Sequence, residues 1–345
     1  MFNQNLLITS EHSLADAAKI IRSEPERVAI VSDENKRLIG VVSDADIRAG
    51  LLNNYSPSQP VRYCMQSAPN FDLVDGDSEY HQSVMQEFGL RHLVLLDKMH
   101  RVSGIALARE PIVNPEEHTV VVMAGGLGSR LRPITEQVPK PMIEIAGKPI
   151  LARIVQNFAD QGFRKFIFTL NYLGEKIEKY FGDGEDFGVQ ISYVHEEKKL
   201  GTAGSLSLLS ERPAKPFFVV NGDVLTSLDY LAMPESHVLS DSMSSVAVNR
   251  YSEQIQYGVL TIERGRVKQF EEKPLVKFFA NSGIYMLNPQ ILRSLSVGEY
   301  LDMPSLLDEQ IESGAVVSAF PLHEYWIDIG RPQELERAEA ELSSD

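Results

Sequence analysis

The stretch from Val120 to Pro149 constrains this chain more than any other segment. It begins within an apolar strand, Thr119 to Met123. Three closely spaced glycines follow this strand: Gly125, Gly126 and Gly128. Three basic residues come next, among prolines: Arg130, Arg132 and Lys140. Glycines after a strand let backbone N–H groups approach a polyanion with no Cβ in the way, and the basic side chains can neutralise its charge. The segment therefore predicts a phosphate-binding loop.

Two better-known phosphate-binding loops do not fit this segment. A Walker loop would need Ser or Thr after Gly147-Lys148, where the chain has Pro149. A dinucleotide-binding fingerprint starting at Gly126 would need a third glycine where the chain has Leu131. The loop is therefore expected to belong to a different class of phosphate-handling protein.

The pattern G-G-x-G-[ST]-R-L-x-P-x-T-x-x-x-P-K-P-M runs from Gly125 to Met142. It resembles the signature of the sugar-1-phosphate nucleotidyltransferases. The resemblance implies that the three glycines bind the nucleotide. It further implies two catalytic residues here, Arg130 on the departing phosphates and Lys140 on the triphosphate side.

Composition limits the classes of partner. A chain of 345 residues is expected to form two or three domains, each with its own core. The formal net charge of −15 disfavours nucleic acid as a partner. Cys64 is the single cysteine, so no disulfide can form within the chain. With no export signal and no apolar run long enough to cross a membrane, we expect a cytoplasmic protein without a membrane partner.

The first ~115 residues contain a divergent duplication. Residues 29–42 read as strand, polar turn and strand, and residues 92–106 repeat that plan. A helical pattern precedes each hairpin. The unit resembles a CBS domain, which implies a CBS pair with boundaries 1–56 and 57–115. A short polar hinge, Pro111 to Pro115, precedes the next strand.

The resemblance to CBS pairs implies a regulatory ligand, an adenine nucleotide bound between the two copies. In the first copy Ser43 would face a phosphate and Asp46 the ribose hydroxyls. The second copy has neither a hydroxyl nor an aspartate at the matching positions, 104–109, so we expect at most one such site. The alternative remains open that Asp46 only caps the following helix and that the module serves folding or dimerisation. Because CBS pairs tend to associate, we expect a homo-oligomer, at least a dimer.

From Thr119 onward, short apolar strands alternate with helical patterns. Strands are predicted at 119–123, 165–171, 190–194, 217–221 and 245–250, and helices at 150–161, 175–181 and 203–209. This alternation predicts an α/β domain over 118–345, Rossmann-like, with an open, mostly parallel sheet. Ligands of such sheets bind at the carboxyl ends of the strands, where the glycine loop falls.

Further segments resemble the same family in the same order. The Leu200–Gly204 segment implies nucleotide-binding residues, Gly201 and Thr202. Two aspartates that end strands imply Mg²⁺ ligands, because carboxylate oxygens suit this ion: Asp223 and Asp328. Three positions imply sugar contacts: Gly258, Glu272 and Asn281. Lys273 would hold the attacking sugar phosphate as a third catalytic residue.

The implied reaction joins a nucleoside triphosphate to a sugar 1-phosphate and releases pyrophosphate. The Leu200–Gly204 segment resembles guanylyl-transferring relatives, so GTP and a hexose or hexosamine 1-phosphate are the expected substrates. The competing hypothesis is a catalytically silent sensor of nucleotides or sugar phosphates. Pyrophosphate release from a matched substrate pair would distinguish the two.

Overall fold

The computed structural model describes residues 2–109 and 113–343. The chain divides into two compact units, residues 1–114 and residues 115–345. Pro111, the first residue of the predicted hinge, lies outside the described residues. No helix in the described ranges is both long and apolar enough to cross a membrane.

The described residues of the N-terminal unit form short strands and three α-helices. Its strands are β1 (Leu7–Ile8), β2 (Ala29–Ser32), β3 (Leu38–Val42), β4 (Phe71–Leu73), β5 (His92–Leu96) and β6 (Val102–Leu107). Its helices are α1 (Leu14–Ser23), α2 (Asp44–Leu52) and α3 (Ser78–Phe88). Ser13 caps α1 through a reciprocal capping box with Asp16, and Gly89 ends α3 in the left-handed conformation.

The two halves of this unit have the same topology. In each half the first strand pairs parallel with the second, and the second forms an antiparallel hairpin with the third. Apolar residues of β2 and β3 share a core with residues of β5 and β6, among them Ile30, Val41, Val94 and Val102. Within the described residues, no α-helix equivalent to α2 lies between β6 and the strand at Thr119.

The C-terminal unit alternates strands and helices as the sequence predicts. Its strands are β7 (Thr119–Met123), β8 (Glu144–Ile145), β9 (Lys148–Pro149), β10 (Lys165–Leu170), β11 (Gln190–His195), β12 (Phe217–Asn221), β13 (Val224–Thr226), β14 (Ser244–Gln254), β15 (Gly258–Glu263), β16 (Arg266–Glu272), β17 (Leu275–Leu287), β18 (Val317–Pro321) and β19 (Trp326–Asp328). Its helices are α4 (Ile150–Asp160), α5 (Gly174–Phe181), α6 (Gly201–Gly204), α7 (Ala232–Leu239), α8 (Met303–Glu312) and α9 (Pro332–Leu342).

A seven-stranded sheet organises this unit. The strand order is β11-β10-β7-β12-β17-β14-β18, and within this sheet β17 alone runs antiparallel to its neighbours. The prediction of an α/β fold with a mostly parallel sheet is therefore confirmed. Four neighbouring parallel strands, β11, β10, β7 and β12, end at the same edge, which is where a ligand site is expected.

Aromatic side chains fill the core beneath this sheet. Phe158 of α4 stacks on Tyr230 with ring centroids 3.5 Å apart, and it meets Phe163 and Phe218 edge-on. All four rings are essentially inaccessible to water. Such pairs add to the free energy of burying the rings. They fix α4 against the sheet and hence the loop that leads into it.

The predicted helix over 203–209 differs from the structure. Residues 201–204 form one α-helical turn, and residues 205–208 continue as a 3₁₀ helix. The cause is close backbone packing, because a Cβ on Gly204 would lie 2.3 Å from the carbonyl oxygen of Glu299. The segment is held by contacts to another loop rather than by its own helical propensity.

A buried polar cluster makes the stability of this unit depend on pH. His237 is 2 % exposed, and its Nδ1 lies 2.8 Å from the hydroxyl of Ser245. Burial, with a contribution from His118, lowers the pKa of His237 from 6.5 to about 4. Below about pH 6.5 this histidine is protonated in the unfolded chain but stays neutral in the folded chain. The free energy of unfolding is therefore highest above that pH and falls towards pH 4.

We expect the free energy of unfolding of the C-terminal unit to fall from pH 6.5 to about 4, His237 contributing up to about 3 kcal/mol. Chemical denaturation followed by the fluorescence of Trp326, the single tryptophan, measures it. The variant His237→Asn keeps a polar group near Ser245 but does not titrate, so its pH dependence should be shallower. An unchanged slope in His237→Asn would contradict this account.

Candidate functional site

A cleft of about 260 Å³ lies at the carboxyl ends of the four parallel strands. Each strand or the loop after it contributes to the lining: Glu196 after β11, Thr169 in β10, Gly125 and Gly126 after β7, Asn221 at the end of β12, and Gly222 and Asp223 after it. Neighbouring strands are spaced by about 4.8 Å, so the cleft crosses roughly 14 Å from β11 to β12. It is long enough for a ligand with chemically different ends.

The glycine loop lies where the sequence predicts. Gly126 lines the cleft, and a Cβ added there would meet no atom within 4 Å. Gly128 has a φ of 61°, and a Cβ there would lie 2.8 Å from Thr135 and 3.0 Å from Lys140. The Thr135 hydroxyl also donates a 2.9 Å hydrogen bond to the Gly128 carbonyl. Gly128 is therefore needed for the fold of the loop, whereas Gly126 leaves room for a ligand.

The two predicted metal ligands converge, although they are about a hundred residues apart in the sequence. Strands β13 and β19 pair antiparallel, with Val224 opposite Asp328. The N–H of Ile329 also donates a 3.0 Å hydrogen bond to the carbonyl of Asp223. The ammonium of Lys140 forms an ion pair with Asp223 and lies 3.9 Å from Asp328. Three predicted residues thus form one charge cluster at the β12 end of the cleft.

Arg130 lies beside this cluster. A Cβ on Gly330 would be 3.6 Å from its guanidinium Nη1 and 3.7 Å from a carboxylate oxygen of Asp328. Burial and then the neighbouring Asp223 raise the pKa of Asp328, while Lys140 and Arg130 oppose them. Two carboxylates this close repel each other, so the cluster favours additional positive charge.

The Leu200–Gly204 segment is locked to the start of α8. The Thr202 hydroxyl accepts a 2.8 Å hydrogen bond from the N–H of Met303, and the Thr202 N–H donates one of 3.2 Å to Asp302. Gly201 has a φ of 79°, and a Cβ there would lie 2.5 Å from the Leu301 carbonyl. Gly201 and Thr202 both line the cleft, so this lock fixes its wall near β11.

Three charged cleft residues were missed by the sequence analysis: Glu196, Lys199 and Asp302. Glu196 and Lys199 belong to a run of four charged residues, which more often indicates a solvated surface. Burial raises the pKa of Glu196, and its carboxylate accepts a 3.0 Å hydrogen bond from the N–H of Leu200. Asp302 lies about a hundred residues beyond Thr202, so no local pattern could place it in the cleft.

The residues predicted to bind the sugar phosphate do not line this cleft: Gly258, Glu272, Lys273 and Asn281. Gly258 and Glu272 face each other across the β15–β16 hairpin. A Cβ on Gly258 would lie 2.5 Å from the ring of Phe270. Asn281 uses its amide within β17, donating to the Tyr285 hydroxyl at 2.7 Å and accepting from Gly283 at 2.9 Å. Their roles in sugar binding remain predictions.

In the N-terminal unit, the two predicted regulatory residues bind each other. Asp46 accepts hydrogen bonds from the N–H and the hydroxyl of Ser43, at 2.8 and 2.6 Å, and Ser43 caps α2. This capping box is the structural role that the sequence left open as an alternative. A nucleotide site at these residues stays a prediction.

Comparison with known proteins agrees with this geometry. The Nucleotidyl transferase family model matches residues 119–345, and the CBS domain model matches residues 1–53. The chain is 34% identical over 226 residues to the mannose-1-phosphate guanylyltransferase catalytic subunit beta of Drosophila pseudoobscura pseudoobscura, covering 62% of this chain and 59% of that protein. It is 32% identical over 231 residues to the mannose-1-phosphate guanyltransferase of Yarrowia lipolytica, covering 62% and 61%. The chain thus spans about three fifths of the length of these curated relatives.

Solved structures show the same fold. The crystal structure of HddC from Yersinia pseudotuberculosis complexed with GMP-PN matches with a TM-score of 0.52 and 29% identity, covering 65% of this chain and 99% of that one. A putative glucose-1-phosphate thymidylyltransferase from Bacillus anthracis matches with a TM-score of 0.53 and 23% identity, covering 66% and 96%. Given its matching residues and its cleft, this chain belongs to the nucleotidyl transferase family, with a CBS domain at its N-terminus.

Proposed function

We propose that this protein transfers a guanylyl group from GTP to a hexose 1-phosphate, with mannose 1-phosphate as the leading candidate, and releases pyrophosphate. The observation that carries the proposal is the convergence of the glycine loop, Lys140, Asp223 and Asp328 at one end of the cleft. The names of the relatives support the choice of guanine and mannose.

The charges of the cleft orient the nucleotide. The anionic phosphates fit the β12 end, where the glycine loop, Lys140 and Arg130 provide N–H groups and positive charge. The β11 end is lined by Glu196, whose carboxylate can accept hydrogen bonds from a base, and by Lys199, and we therefore place the base there. Gly201 and Thr202 form the neighbouring wall.

Glu196 suits guanine better than any other base. One oxygen of its carboxylate accepts from Leu200, which leaves the other oxygen free to accept from a ligand. Guanine presents two adjacent donors, N1–H and the 2-amino group. Adenine, cytosine and uracil each place an acceptor next to their donor, and that acceptor would face a carboxylate lone pair. Hydrogen-bonding sites of this kind discriminate strongly between bases.

The residues at the β12 end of the cleft, where we place the phosphates, could bind a divalent cation. Asp223 and Asp328 are hard oxygen ligands on adjacent strand ends, and Lys140 already supplies the positive charge that the pair requires. We infer that the two aspartates hold Mg²⁺, which when bound neutralises charge on the phosphate oxygens. The raised pKa of Asp328 is consistent with this role, because a bound cation would offset the repulsion between the two carboxylates.

The reaction is an in-line displacement. A phosphate oxygen of the sugar forms a bond to the α-phosphorus, and the bond from that phosphorus to the β-phosphate oxygen breaks, releasing pyrophosphate. The attacking oxygen is already anionic, so no general base is required. Arg130 would hold the departing pyrophosphate, Lys140 the triphosphate and Lys273 the attacking phosphate. Positioning and charge neutralisation supply most of the rate acceleration.

A catalytically silent sensor is the second candidate. The capping box of Ser43 and Asp46 does not require a ligand, and it gives this candidate no particular support. A sensor would also not need two carboxylates beside the phosphate end, because they weaken the binding of a polyanion unless a cation is present. We therefore favour the enzyme.

We also infer that the protein is cytoplasmic, because its single cysteine, Cys64, is free and a reducing compartment keeps cysteines in this state.

Replacing Asp223 or Asp328 by Asn should lower kcat by ~10³-fold or more, because each change removes a charged ligand of the cation. The measurement is pyrophosphate release from GTP and mannose 1-phosphate at saturating Mg²⁺. Both side chains are partly exposed, so the unfolding temperature should change little. The exposed carboxylate variant Asp186→Asn serves as the control and should keep wild-type activity. Wild-type kcat in both metal-site variants would refute the assignment.

The variant Glu196→Gln should lower kcat/KM for GTP by roughly 10- to 100-fold, the cost of replacing one good contact to the base. A glutamine amide both accepts and donates, which suits the N3–H and neighbouring carbonyl of uracil. The preference for GTP over UTP should therefore narrow. Glu197→Gln removes the same charge from the exposed neighbouring residue, outside the cleft lining, and should leave the preference unchanged. Equal effects of the two substitutions would argue against base recognition by Glu196.

A further inference from the structure

Lys199 is a cationic residue of the cleft wall that has no anionic partner. It follows Glu196 by three residues, and both residues line the cleft near β11. Within the part of the chain that the structure describes, the Lys199 ammonium makes neither a hydrogen bond nor an ion pair. The two residues carry opposite charges at the same end of the cleft, yet no ion pair joins them. Both charged groups are therefore available to a ligand.

Contacts at the wall of the cleft position this ammonium. It lies over the ring of Tyr300, 5.9 Å from the ring centroid, which is within the range of a cation–π interaction. The Tyr300 hydroxyl donates a 2.5 Å hydrogen bond to one carboxylate oxygen of Asp302. The other oxygen of Asp302 accepts from the N–H of Thr202. The ring beneath Lys199 thus belongs to the same set of contacts that fixes the wall near β11, and it favours one position of an otherwise exposed side chain.

The carboxylate of Glu196 lies close enough to Lys199 to interact with its charge. Burial raises the pKa of Glu196, and the N–H of Leu200 and the charge of Lys199 act against that rise. One oxygen of the carboxylate accepts the hydrogen bond from Leu200. The other oxygen lies beside the glycine loop, where a Cβ on Gly125 would be 3.3 Å from it. This end of the cleft therefore offers a charged acceptor and a charged donor near each other.

Guanine has an edge that matches this pair of groups. Its N1–H and 2-amino donors adjoin the 6-carbonyl, an acceptor to which Lys and Arg make the commonest specific contact in protein–DNA complexes. We propose that Lys199 donates a hydrogen bond to the 6-carbonyl of guanine, while Glu196 accepts from the adjoining donors. The inference rests on the proposed function and adds the residue that separates guanine from adenine. Adenine has a 6-amino group at that position, and the hydrogens of this group would face the ammonium.

The variant Lys199→Met tests this contact, because it keeps most of the length of the side chain and removes its donor and its charge. It should lower kcat/KM for GTP at least ~10-fold, the effect of losing a hydrogen bond from a charged group. The measurement is pyrophosphate release with mannose 1-phosphate. The matched control is Lys198→Met, which removes the same charge from the exposed neighbouring residue outside the cleft lining. This control should leave kcat/KM nearly unchanged.

A GTP analogue separates a contact with the base from a contact with the phosphates. 6-Thio-GTP keeps the N1–H and 2-amino donors but replaces the carbonyl oxygen by sulfur, which is a weaker acceptor. The wild type should prefer GTP to this analogue, and Lys199→Met should lose most of that preference, because both changes remove the same contact.

Two results would overturn the inference and leave the proposed function intact. In the first, Lys199→Met lowers kcat/KM equally for GTP and 6-thio-GTP, as expected of a lysine that binds the phosphates. In the second, Lys199→Met has no larger effect than Lys198→Met. A wild type that releases no pyrophosphate from GTP would instead refute the proposed function, and this inference with it.

Discussion

The antiparallel pairing of β13 with β19 is the interaction on which the candidate site depends. It brings Asp328 from near the C-terminus to the end of the strand that delivers Asp223. Two carboxylates side by side are unfavourable without a cation, and Lys140 provides one from the loop that follows the glycines. One small sheet therefore helps to join three distant parts of the sequence into one charge cluster, which we propose binds phosphates and Mg²⁺.

The main sheet places this charge cluster at one end of an elongated cleft. Its four parallel strands end along one edge, so the residues after them line the cleft in spatial order from Glu196 to Asp223. Lys140 and Arg130 lie at the β12 end, where we propose that they bind the phosphates, and Glu196 lies at the β11 end, where we propose that it binds the base. The hydrogen bonds of Thr202 to Asp302 and Met303 fix the wall of the cleft near β11. Geometry of this kind accelerates a reaction by positioning, which suits a displacement that needs no general base.

The sequence predicted the main sheet well, because a sheet depends on local patterns. The glycines, the basic residues and the strand at Thr119 are neighbours, and the strand bounds agree with the structure. The lining of the cleft near β11 was harder to predict. Glu196 is part of a charge run, and Asp302 enters the cleft through the close packing of Gly201 and Gly204 on residues 299–302. Such contacts between distant segments leave no periodic signal in a single sequence.

The N-terminal unit shows how one motif can have two explanations. Ser43 and Asp46 fit a ligand site by resemblance, yet their hydrogen bonds complete a helix cap. The duplication itself could be predicted from the sequence, since strand, turn and strand recur with the same spacing. The exposure of both strands of the β15–β16 hairpin could not be predicted, because alternation along a strand does not tell whether either face is covered.

The central claim is that the cleft selects GTP and couples it to a sugar 1-phosphate. The most direct measurement is a panel of specificity constants for the wild-type chain, with each nucleoside triphosphate crossed with mannose, glucose, galactose and glucosamine 1-phosphates, followed by pyrophosphate release. The account predicts the highest kcat/KM for GTP with mannose 1-phosphate and no release without the sugar phosphate. A highest value with UTP, CTP or dTTP, or no release with any pair, would contradict it.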